Sequence, residues 1–215
     1  KGMVGTGSMN DPYTPAEARL NMTGRALEII ARHRFPVHII TKSDLVLKDL
    51  DTLCAINEAT RAVVSFTVTT ADDNLARIVE PGAPPSSARL AALGVLAEHG
   101  IYTGVTMMPI LPFIEDTEEN VTAIVEAAHA AGAKYILPGF GMTLRDRQRA
   151  WYYDQLDRHF PGLRARYEQA YGERYSARCR NAARLERLFD DLCRRHGIRT
   201  RAEFDLREPQ QMSLL

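Results

Sequence analysis

Three polar stretches carry the side chains of this sequence best suited to hold a small ligand. Ser8, Asn10 and Asp11 follow the run Val4-Gly5-Thr6-Gly7, and Lys42 and Ser43 follow Pro36-Val37-His38-Ile39-Ile40. Ser65 and Thr67 alternate with Val64, Phe66 and Val68 in a third run. The first stretch has no bulky aliphatic side chain but offers backbone N–H groups, a hydroxyl, an amide and a carboxylate. Lys42, placed directly after an apolar strand, suits a ligand carboxylate or phosphate, or the imine chemistry of a Schiff-base lysine. His38 sits inside an apolar run, where a hydrogen-bonded core histidine is the expected reading. Met107 and Met108 are expected to line a cavity. The sequence contains no Ser-His-Asp arrangement, P-loop or zinc-ligand spacing.

These groups need elements to bring them together, and the chain supplies a regular series. Apolar β-type runs begin near residues 4, 37, 62, 101 and 134, and helical patterns fall between them. This is the rhythm of a parallel sheet with right-handed crossovers, in which ligands bind beyond the carboxyl ends of the strands. Thr14-Pro15-Ala16-Glu17 reads as a capping box opening a helix. The helix over 23–33 is expected to bury Ala26, Leu27, Ile29 and Ile30, and a second covers 45–58. A short helix starts at Asp72. The next begins near Ser86, carries Leu90, Leu93, Gly94 and Ala97 inward, and stops at Gly100. Asp116-Thr117-Glu118-Glu119 opens a helix with Val121, Ile124, Val125 and Ala128 on one face. From Thr143 the rhythm gives way to helices, with Leu185, Leu188, Phe189 and Leu192 as a clear stripe.

Five βα units are too few to close an eight-stranded barrel, and a packed barrel interior would want Val, Ile and Leu. The Ser65, Thr67, Thr69 face therefore points to a polar cavity. The expected architecture is α/β, a partial TIM-like barrel over 1–142. A helical extension over 143–200 packs on it, and a tail follows over 201–215.

Composition bounds the rest. The apolar and charged fractions, 45% and 25%, are those of a globular protein. No apolar run approaches the roughly 20 residues of a membrane span. Cys54, Cys179 and Cys193 are too scattered for a disulfide framework or a clustered metal motif, and a reducing cytoplasm is the natural reading. Net charge is zero, yet residues 158–201 hold 12 Arg against 5 acidic residues, while residues 1–157 carry 14 basic and 19 acidic ones. A basic segment of this kind is either a solvated helical face or a contact for nucleic acid.

The strand-end stretches, taken in order, resemble those of the radical S-adenosylmethionine (SAM) superfamily, in its spore photolyase-like branch. The matching stretches are Gly5 to Tyr13, Thr41-Lys42-Ser43-Asp44, Val64-Ser65-Phe66-Thr67, Glu80-Pro81-Gly82-Ala83-Pro84, Met108 to Phe113 and Pro138 to Leu144. The resemblance implies a partial (β/α)6 barrel holding SAM and a 4Fe-4S cluster. It also implies an external electron donor and reductive cleavage of SAM to a 5′-deoxyadenosyl radical, which takes hydrogen from a substrate. Carried over by position, Ser8, Asn10 and Asp11 lie near the SAM amino group and Lys42 meets its carboxylate. Ser65 and Thr67 reach the ribose, and residues 104–109 run along the adenine.

The family's Cys-x3-Cys-x2-Cys triplet is absent from residues 1–215, and the three scattered cysteines cannot stand in for it. The resemblance thus places the cluster ligands upstream of Lys1, on a first βα unit this sequence lacks, and leaves the chain alone without the radical reaction. It does not name the substrate. Two other readings of the residues stand beside it: an aldolase- or isomerase-like barrel using Lys42, and a non-catalytic nucleic-acid binder using the helices of 158–201.

Overall fold

The computed structural model describes residues 2–7 and 10–202. Its frame is a five-stranded parallel sheet of β1 (Val4–Thr6), β2 (Val37–Thr41), β3 (Ala62–Thr67), β4 (Tyr102–Met107) and β5 (Tyr135–Pro138). The strands lie side by side in chain order. A doubly wound sheet reverses its strand order at a switch point; this one does not, so every crossover winds the same way, as in a barrel.

The connecting helices are α1 (Glu17–Leu20), α2 (Met22–Arg32), α3 (Leu50–Ala59), α4 (Asp73–Val79), α5 (Ser86–Glu98) and α6 (Glu118–Ala130). A 3-10 segment (Asp44–Asp49) precedes α3. Together they cover one face of the sheet. Val37, Ile39, Val64, Phe66, Val105 and Ile136 on that face join Leu27, Leu53, Leu93, Leu96, Ile124 and Val125 of the helices in one core. Burial of each Leu or Ile there contributes roughly 1.5–3 kcal/mol against leaving it exposed.

Past β5 the chain forms β6 (Gly141–Thr143), α7 (Asp146–His159), α8 (Leu163–Tyr171), β7 (Ser176–Arg178) and α9 (Ala182–His196). β6 and β7 pair antiparallel. Leu144, Tyr153, Leu156, Tyr167 and Tyr171 build a second, smaller core there. α9 instead turns Leu185, Phe189 and Leu192 into the main core. Beyond it, Arg199 makes a single parallel bridge to Tyr135 on the free side of β5. No described helix is long and apolar enough to cross a membrane.

Local expectations fare unevenly. The stripe Val121, Ile124, Val125, Ala128 of α6 is buried, and Thr117 caps that helix by accepting the Asn120 N–H. Thr14 caps nothing: α1 begins after Ala16 without a side-chain cap. Glu17 serves α2 instead, accepting the N–H groups of Met22, Thr23 and Gly24. α2 buries Gly24 and Leu27, while Ala26 is exposed and Ile29 is 54% exposed. The thin sheet edge at three-residue β1 gives that side of the helix nothing to cover it. In α5 the buried line is Arg89, Ala92, Leu93 and Leu96, with Gly94 and Ala97 only half-buried. The tail over 203–215 lies outside the described residues.

Candidate functional site

The face of the sheet turned away from the helices is polar, as the alternation in β3 predicts. Register places Ser65 beside Gly104, and Gly104 beside Tyr135. The Ser65 hydroxyl lies 2.6 Å from the Tyr135 hydroxyl and 2.7 Å from Nε2 of His38. Gly104 is required here, because a Cβ would enter the Tyr135 ring that covers it. Burial holds His38 below the usual imidazole range and therefore uncharged. His38 is thus the hydrogen-bonded interior histidine that the sequence suggests.

Toward the carboxyl ends, the strands are joined by a continuous polar chain. Asp11 takes the Thr41 hydroxyl and the Lys42 N–H, each at 2.7 Å, and its own turn closes through the Tyr13 N–H. The loop after β1 is thereby tied to the end of β2. Gly7, at φ 94°, makes the approach possible, since a side chain there would overlap the Ile40 carbonyl.

Lys42 projects from the end of β2 with its side chain 40% exposed and its Nζ 3.7 Å from Glu80 Oε1. The other Glu80 oxygen receives the guanidinium of Arg89 at 2.5 Å. Arg89 is fully buried on α5 and donates further to the carbonyls of Thr67 and Pro84, both at 2.8 Å. The chain continues across the sheet. Thr67 and Thr106 share a hydrogen bond of 2.8 Å, and Thr69 donates to Glu115 at 2.7 Å. Glu115 is fully buried in the loop after β4 and also accepts the Leu111 N–H. Burial outweighs those two donors and pushes its carboxyl up to about 8.

The structure therefore brings Asp11, Lys42 and Thr67 to one rim, linked through Thr41, Glu80 and Arg89. Asn10 is exposed on the loop after β1, and Ser8 lies outside the described residues. Ser65 sits deeper, fully buried between His38 and Tyr135. Met107 does not line a cavity: strand alternation turns it with Val105 into the core beneath the helices. Met108 and Pro109 do line one, a groove of about 1000 Å³ over the ends of β4 and β5. Its other wall includes Phe140, Trp151, Tyr152 and Arg178.

Glu80, Arg89 and Glu115 escape a reading by polar loops alone. One signal was present, an arginine three and four residues before Ala92 and Leu93 on an apolar helix face. Such a group requires a buried partner.

The cysteines do not form a metal centre. Cys54 is half-buried while Cys179 and Cys193 are buried, all three free. Burial raises all three thiols, the latter two to about 12, which keeps them protonated. No cluster of three or more His, Cys, Asp or Glu suited to a metal occurs among the described residues.

No family model matches the sequence. An uncharacterized protein of Mycobacterium tuberculosis is 31% identical over 168 residues, covering 78% of this chain and 49% of its own length. An uncharacterized protein of Methanocaldococcus jannaschii is 34% identical over 118 residues, 55% of this chain and 44% of its own. The chain spans about half the length of the curated relatives it matches. Among solved structures, a spore photoproduct lyase variant with bound AdoMet and dinucleoside spore photoproduct superposes at TM-score 0.68 and 17% identity. That match covers 90% of this chain and 58% of the lyase. A spore photoproduct lyase complexed with the dinucleoside photoproduct gives 0.67 with the same coverage. The chain has the partial-barrel fold of spore photoproduct lyase.

Proposed function

We propose that this chain is the SAM-holding part of a radical SAM enzyme of the spore photolyase-like branch. The observation that carries the reading is the rim of β1 to β3, where the Lys42 ammonium stands partly exposed and only loosely paired. At 3.7 Å its contact with Glu80 is too long for a hydrogen bond, so its three N–H donors remain available to a ligand carboxylate.

In this reading Lys42 binds the carboxylate of SAM. Asp11 fixes the Lys42 backbone and, with Asn10, faces the amino group. Glu80 keeps the lysine from swinging toward solvent, and Arg89 anchors Glu80. Thr67 is the rim hydroxyl for the ribose, while Ser65 acts one row deeper by holding Tyr135 and His38 in place. Bound SAM is the source of the carbon radical that takes hydrogen from a substrate.

The three thiols of this chain are dispersed and do not fit a 4Fe-4S cluster. We assign the cluster ligands to sequence preceding Lys1, in keeping with relatives of about twice the span, and the electron to an external donor. Anaerobic reconstitution with iron and sulfide of the protein including that preceding sequence tests this. Release of 5′-deoxyadenosine from SAM on reduction supports the reading. A preceding sequence without a cysteine triplet, or no 5′-deoxyadenosine, overturns it.

A further inference from the structure

α6 and α9 pack side by side and run in the same direction. At their starts Glu118 pairs with Arg184, and at their ends His129 meets His196. Between these contacts the buried stripe of α6 and Leu185, Phe189, Leu192 and Cys193 of α9 share the main core. The two imidazoles sit at the rim of that interface, His129 exposed and His196 half-buried. Their ring centroids are 4.4 Å apart and their planes are tilted by 34°. Neither ring makes a hydrogen bond or ion pair with a described residue.

Parallel packing has an electrostatic consequence. Each histidine lies in the last turn of its helix, where carbonyls without intrahelical partners form the negative end of the helix dipole. Two such ends side by side repel, and a cation between them relieves both. Arg194 and Arg195 share the last turn of α9, but both bond back to Asp191 of their own helix. Imidazole suits zinc, nickel and copper, whereas magnesium and calcium take oxygen ligands. The spacing fits as well. At a metal–nitrogen distance of about 2.0–2.1 Å, each ring centroid would stand about 3.2 Å from the ion, so 4.4 Å between centroids corresponds to a ligand angle of about 90°. The broad χ2 range of histidine lets rings at a surface rim turn a nitrogen to the ion.

We propose that His129 and His196 are the protein ligands of a late divalent transition-metal ion, of the nickel or zinc kind, bound between the C-terminal ends of α6 and α9. No third His, Cys, Asp or Glu joins them among the described residues, so water completes the coordination and the ion is exchangeable. Its effect falls on α9. That helix ends at the Gly197 cap and leads into the Arg199 bridge to β5, so an ion at His196 fastens the end of the helical extension to the barrel. The proposal uses no residue of the SAM reading and stands apart from it.

Calorimetric titration of the untagged 215-residue chain with zinc(II), nickel(II) and magnesium(II) tests the site. One zinc or nickel ion should bind per chain, and magnesium should not. Removing either imidazole alone, by His129→Gln or His196→Gln, should weaken that binding at least about tenfold, the low end for loss of a group that supports a bound metal. His159 is an exposed histidine in the last turn of α7, and His159→Gln should leave the binding unchanged. Thermal melts without metal control for folding. With saturating zinc or nickel the melting temperature should rise in the unaltered chain and stay level in the variant carrying both replacements. Absence of saturable binding by zinc and nickel overturns the site. Unchanged affinity in either single variant also overturns it, since one imidazole would then suffice, and so does magnesium binding as tightly as zinc, the mark of a carboxylate site elsewhere.

Discussion

Glu80 divides its carboxylate between two cations of different burial: one oxygen lies 3.7 Å from the Lys42 ammonium, the other 2.5 Å from the Arg89 guanidinium. The Arg89 side chain is fully buried and Lys42 is 40% exposed. The two pairs should therefore differ sharply in energetic weight. Glu80→Gln leaves a buried guanidinium uncompensated and should cost about 3 kcal/mol, the low end for a broken buried pair, because the Thr67 and Pro84 carbonyls still accept from Arg89. Lys42→Met removes a partly solvated contact and should cost under about 1 kcal/mol. Urea unfolding midpoints at unchanged slope read both values. Equal costs would mean that Glu80 serves the lysine and not the arginine.

Glu115 links stability to pH. An isolated glutamate ionises near 4.5, whereas burial holds this one protonated until about 8. Between those values the folded chain binds more protons than the unfolded chain, so stability falls as pH rises across the window and levels off above it. The full effect of such a shift is on the order of 5 kcal/mol. Glu115→Gln keeps the shape and removes the proton equilibrium. Its melting temperature should stay flatter between pH 5 and pH 8 than that of the unaltered chain. Parallel curves would show that the carboxyl is already ionised in the folded protein.

Gly104 and Tyr135 are coupled by contact. The Tyr135 ring occupies the space a Cβ at 104 needs, and its hydroxyl is held by Ser65. Gly104→Ala should therefore cost about 1–3 kcal/mol, as overpacking does in a filled interior. Pairing it with Tyr135→Leu, which withdraws the ring, should recover part of that loss. A double-mutant cycle measures the coupling, and strict additivity would contradict the contact.

Much of this fold was legible in advance because its signals are periodic. Five apolar runs separated by helical stripes required parallel strands. The Val64, Phe66, Val68 against Ser65, Thr67, Thr69 alternation correctly divided the helix-facing side from the interior. The errors arise where long-range partners decide. Glu17 reads locally as closing a cap on its own helix, yet its carboxylate reaches forward to the amino end of α2 and to Lys48. Burial works against ionisation of Glu17, but the Lys48 ammonium and the Gly24 and Thr23 N–H groups outweigh it and hold the carboxyl below its ordinary value.

The site was legible in type more than in connection. Lys42 and Asp11 stand out in sequence as polar groups after apolar strands, and they do share one rim. Nothing in the sequence near Lys42 announces Glu80 or Arg89, which arrive from 38 and 47 positions away across two crossovers. The hairpin of β6 and β7 was hidden for a different reason: each strand is three residues long, too short to show a period.

The central claim, that Lys42 receives the carboxylate of SAM, is tested most directly by comparing SAM with decarboxylated SAM in equilibrium dialysis. The unaltered chain should bind SAM about tenfold more tightly than the decarboxylated compound, the worth of one partly sheltered ion pair. Lys42→Met should bind the two alike, with the loss falling on SAM alone. If the unaltered chain fails to distinguish them, or Lys42→Met keeps the preference, the carboxylate does not sit at Lys42 and the account is wrong.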